Sequence, residues 1–468
     1  FGRDFIKWSM QDVFGTLGNT NFLSAFLALP ALVTVSFLLG KEHSSLKSLF
    51  AVHLIVSVFV MLKTNSIQGP IIFGVGTLVL VWLRLWKGKV KKYFFYGWSF
   101  FSITLITFIG SGVLGFGIPG KFFIQQTLTF RFDYMGAAVK MIQAHPMVGV
   151  GFDAFGDWYR FYRGVISAYR TSPARTANTS HNIFLDVGTN GGIPLLIIYV
   201  GIVFFSGWLG LRAISRQQHF DPFLTGLFAC WIGYQLQALI SINQIGVGIW
   251  NWIICGALIS SERTKIISPS TIREKRGANI KHRQLTPAAV ISSVICGGLF
   301  FAAAAVPFNN DRNFRKAYFA GDIGKIMKLT KSSGSTAWHL GTALSFAFRA
   351  NAIDHAREID ANFIERFPRD IYGLQAAVDL AGNSVSEEMQ KIRLVQINDP
   401  FYPCYWPNWE EKVMKMLTSL PISQQEELLK AWNLPIKARV SVSGSQFGLA
   451  TLDEDAARKK IHSFCFQS

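Results

Sequence analysis

Charge is scarce in this chain of 468 residues, with Asp, Glu, Lys and Arg together making up 16%. Acids are the scarcer sign, 28 against 46 bases. With half the residues apolar and a mean hydropathy of +0.29, that shortage excludes an ordinary water-soluble protein and points to a polytopic membrane protein. Cysteine is also sparse, five in all, and no CxxC, HExxH or close His cluster offers a metal site. The absence of GxxxxGK[ST] and GxSxG removes P-loop nucleotide chemistry and the elbow hydrolases. No metal and no cofactor is expected. Cys230, Cys255 and Cys296 lie in apolar runs, whereas Cys404 and Cys465 lie in the C-terminal region, where they can pair only if the fold brings them together.

What the chain does have is long apolar runs. Eight approach the roughly 20 residues that span a bilayer: 22–40, 49–62, 70–86, 94–114, 193–211, 223–240, 245–259 and 288–306. Phe1 opens without a basic n-region or a cleavage site, so no signal peptide is read there, and further spans are expected before it. Lys and Arg fall on alternate loops: Lys41 and Lys47; Arg84, Lys87, Lys89, Lys91 and Lys92; Arg212 and Arg216; and the run from Arg263 to Arg283. These mark the cytoplasmic side, because basic residues in short loops resist export. The turns at 63–68 and 241–244 then face outward. Contact with anionic lipid accounts for much of the net charge of +18, and nucleic acid is not required.

The expected organisation is an all-α bundle of about eight transmembrane helices. A membrane core occupies 1–261 and includes a large extracytoplasmic loop at 116–192. A basic cytoplasmic loop fills 262–287, a last span 288–306, and an exported helical domain 307–468. In that domain Ala320-Gly321-Asp322, Ala350-Asn351-Ala352 and Ala381-Gly382-Asn383 interrupt amphipathic segments about every thirty residues. The spacing suits either stacked hairpins of the tetratricopeptide kind or a small helical domain without true repeats. Either one offers a surface for a protein partner. The aromatic turn from Pro400 to Pro407 reads as packing or as a glycan-stacking platform.

The long loop carries the chemistry. A helix over about 126–143 places Phe130, Tyr134, Ala138 and Met141 on one stripe, suited to lie along the membrane face, with Arg131 and Asp133 off it. It leads to HPMVGVGFDAFG at 145–156, where Pro146 and glycines at 149, 151 and 156 predict tight turns. After Arg170 comes the polar stretch TSPARTANTS at 171–180, which contains Arg175, and in it Thr179 or Ser180 is a candidate N-cap. His181 then falls in the first helical turn, and Gly188 with Asn190 to Gly192 closes that helix before Pro194 opens the next span. The positive helix end would keep the imidazole neutral and able to accept a proton. Free backbone N–H groups and the loop arginines would cradle an anion. The bland readings are a capping or surface histidine and lipid-anchoring arginines. Asp153 and Asp157 do not make a hydrolytic pair on one helical face, because Gly156 and the loop context argue against a helix.

Three segments carry a resemblance: FGTLGNTNFLSAFLALP at 14–30, the Arg131 helix leading to HPMVGVGFDAFG, and SHNIFLDVGTNGGIPLL at 180–196. Together they resemble the bacterial O-antigen ligase and polymerase family, including its protein O-oligosaccharyltransferase branch, over roughly Phe14 to Ile259. The resemblance implies a multi-pass enzyme of the bacterial cytoplasmic membrane. Such an enzyme moves a glycan from undecaprenyl diphosphate on the outer leaflet to an acceptor that is a lipid, a glycan or a protein. It implies a metal-independent, inverting transfer in which His181 takes the acceptor proton or hydrogen-bonds the diphosphate, and Arg131 holds the diphosphate with Arg160 or Arg163. Asn182 adjoins the histidine, and Asn19 and Asn21 occupy the family's GNxN turn. Where the family often has Ser-Arg-Gly, this chain reads Asn65-Ser66-Ile67-Gln68-Gly69, so Lys63 or another loop arginine has to supply that charge.

Two other classes stand beside this one. A transporter or flippase of lipid-linked glycan needs polar groups within the spans, where His53 and Asn251 are the main exceptions. A scaffold would use the spans only to anchor its helical tail.

Overall fold

The computed structural model describes residues 15–40, 44–88, 90–123, 126–164, 166–168, 176–263, 287–381 and 385–399. These residues are helical, with no strand among them. They divide into two compact units, one holding residues up to Arg163 together with Ala177 to Arg263, the other holding the helices from Pro287 onward. Arg170, Arg175, most of the basic loop, the 400–407 turn, Cys404 and Cys465 lie outside the described residues.

In the first unit the helices begin where the sequence supplies caps. Asn19 accepts from the Asn21 amide (2.8 Å) and opens α1 (Thr20–Leu39). The chain continues through α2 (Ser44–Lys63), α3 (Gln68–Lys87) and α4 (Lys92–Val113). Next come the loop helices α5 (Gly117–Phe123), α6 (Gln126–Ala144) and α7 (Phe155–Tyr162). The unit closes with α8 (Ile183–Arg216), α9 (Pro222–Ala238) and α10 (Ile245–Arg263). Asp221 caps α9 through the amides of Phe223 and Leu224, with Pro222 at the first helical position, where its missing N–H costs nothing.

The core of this unit joins α1, α3, α8, α9 and α10 through Leu29, Leu32, Leu80, Leu83, Ile214, Phe228 and Leu258. Helix α1 packs against α2, α3 and α9, and α10 packs against α8. Seven helices of the described residues are long and apolar enough to cross a bilayer: α1, α2, α3, α4, α8, α10 and α11, the last of which belongs to the second unit. The run at 223–240, read as a span, forms α9, whose 17 residues stand at the short end of what crosses a bilayer. Its neighbours bury much of it. The chain is a multi-pass membrane protein built as a helical bundle.

Helix α8 is bent where the glycines fall. Gly191 and Gly192 leave helical geometry, with Gly192 at φ 71°. A short segment at 183–190 is thereby set off from the long apolar segment at 193–216.

The second unit begins with α11 (Pro287–Ala320), which runs without a break through Pro307, although the change from span to soluble tail falls there in the sequence. It continues with α12 (Ile323–Thr330), α13 (Ala337–Arg349), α14 (Ile353–Arg366), α15 (Ile371–Leu380) and α16 (Val385–Asn398). Each of these helices packs on the one before it. The first two interruptions read from the sequence share one geometry. Gly321 and Asn351 adopt left-handed φ values of 70° and 52°. Behind them, Asp322 N donates to Ala317 O (3.0 Å) and Ala352 N to Ala347 O (2.9 Å). These are the closing bonds of the Schellman cap, which turns the chain back on itself. The third break, at 382–384, lies outside the described residues.

Candidate functional site

The HPMVGVG turn and the Asn190-Gly191-Gly192 break are two halves of one junction. Val150 N donates to Thr189 O and Ile193 N to Pro146 O, both at 2.7 Å, so each chain satisfies the backbone groups that the other's turn leaves open. The fit needs glycine on both sides. Gly149 has φ 66°, and a Cβ there would overlap the Thr189 carbonyl. Gly192 has φ 71°, and its Cβ would stand 2.5 Å from Pro146 O. The junction holds the start of α8 against the end of α6.

His181 stands at that start, but not where the sequence reading put it. The N-cap is Asn182, whose Oδ1 accepts from Leu185 N (3.1 Å), so His181 lies ahead of the helix and not in its first turn. Its φ of 57° is an uncommon value for a side-chain-bearing residue. The conformation is fixed from both sides. Ser180 N donates to Asp186 Oδ1 (2.7 Å), Ser180 Oγ donates to Asn182 O (2.9 Å), and Asn182 Nδ2 donates to Leu239 O (3.0 Å).

The imidazole Nδ1 lies 3.2 Å from Thr179 Oγ1 and 3.4 Å from Thr179 O. A proton on Nδ1 answers that carbonyl and leaves the lone pair on Nε2. Burial, and then the nearby charge of Arg131, hold His181 below its ordinary value, while the Thr179 carbonyl acts the other way. The ring is therefore neutral at pH 7. The cause is desolvation and a neighbouring cation, in place of the helix end first invoked.

Arg131 reaches the same place from α6. Its Nη1 donates to Ile240 O (2.6 Å), just past the C-terminus of α9, where unsatisfied carbonyls favour a cation. Three residues further along α6, the Tyr134 ring packs on the His181 ring at a centroid separation of 5.5 Å. The other side of Arg131 lines a cavity of ≈ 190 Å³ with Asn21, Asn65, Ser66, Ile67, Gln68 and Leu128 among its walls. No carboxylate lines this cavity among the described residues. Ser66 Oγ donates to Asn21 Oδ1 (2.7 Å), joining the GNxN turn to the Asn65–Gly69 turn, and Gln68 pairs with the buried Gln237. A mostly apolar groove of ≈ 450 Å³ shares Asn65, Ser66, Ile67 and Ile71 with the cavity and extends along Leu62, Pro70, Gly74 and Ile109.

The other residues singled out in the sequence fall unevenly about this centre. Asn21 lines the cavity; Asn19 is spent as the cap of α1. Lys63 is exposed at the end of α2 with its ammonium over the Phe59 ring, and does not line the cavity. Arg160 and Arg163 are buried on and just after α7, outside the cavity's lining. The stripe of Tyr134, Ala138 and Met141 does not lie along a membrane face. It is buried against Phe155 and Tyr159 of α7, a helix not expected there, and so backs the His181 ring.

The residues missed as site members are Tyr134, Ser66, Gln68 and Gln237. The first was absorbed into the apolar stripe. The last two meet across 169 positions of sequence, a pairing that no local pattern announces.

A bundle of membrane helices with a cation-bearing cavity at one end, and a neutral imidazole near the cation, defines the class: a multi-pass membrane protein. Residues 51–200 match the family model described as O-antigen ligase. That segment runs from within α2 to within α8 and includes both Arg131 and His181. It supports an O-antigen ligase-like glycan-transfer reading of this part of the chain. Neither the curated proteins nor the solved structures give a match.

Proposed function

We propose that the chain is a membrane glycosyltransferase of O-antigen ligase or polymerase type. It moves a glycan from an undecaprenyl diphosphate carrier to an acceptor hydroxyl at the outer face of the bacterial cytoplasmic membrane, without a metal ion. The observation that carries this reading is the meeting of one desolvated guanidinium with one neutral imidazole. Arg131 opens onto a cavity with no carboxylate among its described lining residues, and Tyr134 on the same helix packs against His181.

A cation held out of water binds phosphate oxygens strongly. Arg131 takes the diphosphate, with Asn21, Asn65, Ser66 and Gln68 as neutral donors around it. The adjoining apolar groove suits the first isoprene units of the carrier. The acceptor oxygen attacks the anomeric carbon as the bond from that carbon to the diphosphate oxygen breaks. The hydroxyl proton passes to His181 Nε2, and the electron pair leaves with the diphosphate, whose charge Arg131 holds. Attack opposite the leaving group inverts the configuration. General-base help of this kind is worth about 10² to 10⁴ in rate, and fixed positive charge at the leaving anion adds to it.

Asn182 acts by position, since its amide is committed to Leu185 N and Leu239 O. Arg160 and Arg163 add positive potential from α7. Lys63 remains at the rim of the same turn as Asn65 and Ser66. The tail helices, each packed on the one before it, form a repeat-like array that is exported and offers a surface to a protein partner.

The test is transfer in proteoliposomes from undecaprenyl diphosphate glycan, with EDTA present. The expected product carries the inverted anomeric configuration and is lost in Arg131→Ala. Retained configuration, or a requirement for a divalent ion, would overturn the reading.

A further inference from the structure

The turn between α6 and α7 carries its large apolar side chains on the outside. Met147, Val148 and Phe152 are 70%, 76% and 80% exposed. Yet the backbone of this turn is tied down, with Pro146 O accepting from Ile193 N and Val150 N donating to Thr189 O. Large apolar side chains presented by an ordered turn mark a surface with a partner.

The partner follows from what the turn is bonded to. Ile193 is the first residue after the Gly191–Gly192 break and opens the apolar segment of α8. Along that segment Ile193, Ile197, Val200 and Phe204 are all exposed. They recur at i, i+4, i+7 and i+11, one continuous stripe on the helix. In a membrane span such a stripe faces lipid. Met147 is therefore next to the residue bonded to the point where the lipid-facing surface begins, and Met147, Val148 and Phe152 continue that surface past the end of the span.

We propose that this turn is a membrane-dipping tip, with Met147, Val148 and Phe152 inserted at the boundary between headgroups and acyl chains. Asp153, exposed immediately after Phe152, stays at headgroup level and confines the insertion to the tip, within the roughly 5–10 Å typical of interfacial apolar elements. The same turn holds the Thr189 carbonyl, so the tip also fixes the height of the 183–190 segment, and with it His181, relative to the lipid phosphates. The tip stands apart from the glycan-transfer reading, because it rests on exposure and backbone bonding alone.

The experiment places an environment-sensitive NBD fluorophore on Val148→Cys or Phe152→Cys in the full chain, reconstituted with acyl-brominated phosphatidylcholine. Phe204→Cys on the exposed α8 stripe is the lipid reference. Asp354→Cys, whose parent side chain is 96% exposed in the tail, is the aqueous reference. The parent chain, labelled identically, sets the background. Blue-shifted emission with quenching like that of the Phe204 position is the expected result at both sites. Emission and quenching like those of the Asp354 position would overturn the proposal. So would a blue shift without bromolipid quenching, which would mean that a second copy or another segment of protein covers the tip.

Discussion

Replacing Gly149 by alanine should open the junction that positions His181. The added Cβ overlaps the Thr189 carbonyl and comes within 2.8 Å of the backbone at Asn190 and Gly191. These are backbone atoms, so no side-chain rotation relieves the overlap, and the two segments must part. Three costs follow. Alanine at a φ of 66° loses about 1 kcal/mol relative to glycine. The bonds from Val150 N to Thr189 O and from Ile193 N to Pro146 O contribute about 1 kcal/mol each, net of water. The sum is about 3 kcal/mol, roughly a hundredfold in the opening equilibrium. Hydrogen exchange read at the amides of Val150 and Ile193 should show protection lower by about that factor. Gly136→Ala is the control: it lies within α6 with nothing near its added Cβ, and a gain of about 0.5–1 kcal/mol is expected. Unchanged protection at Val150 in Gly149→Ala would refute the reasoning.

Two further outcomes concern titration. The His181 ring, followed by NMR of labelled histidines and assigned by its loss in His181→Ala, should titrate below 6.5, so the proposed base is lost only on acidification past that point. Arg131→Gln removes the second cause of the depression and should raise the value partway, burial remaining; an unmoved titration would count against the coupling. In the tail, burial raises the Asp360 carboxyl to about 7 from an unfolded value of 3.8. The native state then holds a proton that the unfolded state has released. The stabilisation is fully present below the lower value and fades as pH rises through the upper. Asp360→Asn should abolish that slope, on the order of a few kcal/mol, in the exchange protection of α14; a slope that persists would assign it to another group.

The spans, the loop helix and the paired motifs were legible because each is written locally: apolar runs, a proline at a helix start, glycines where the chain turns. The inward role of Tyr134, Ala138 and Met141 was not, because their stripe looks the same whether lipid or α7 covers it. The cap at Asn182 displaced Thr179 and Ser180 because Ser180 spends its groups on Asp186 and Asn182, a choice fixed by tertiary contact and not by propensity. The cavity was legible only in part. The GNxN and Asn65–Gly69 turns were visible one by one, but their union through Ser66 and Asn21, and the arrival of Arg131 from another helix to supply a charge where Asn65–Gly69 has none, depend on how α1, α2, α3 and α6 converge.

The most direct test of the account is the turnover of His181→Ala on undecaprenyl diphosphate glycan, compared with the parent at matched donor and with folding verified by exchange protection at Val150. A loss of about 10² to 10⁴ in rate, with donor binding retained through Arg131, is expected. Turnover equal to the parent's would contradict the assignment of the imidazole as the base.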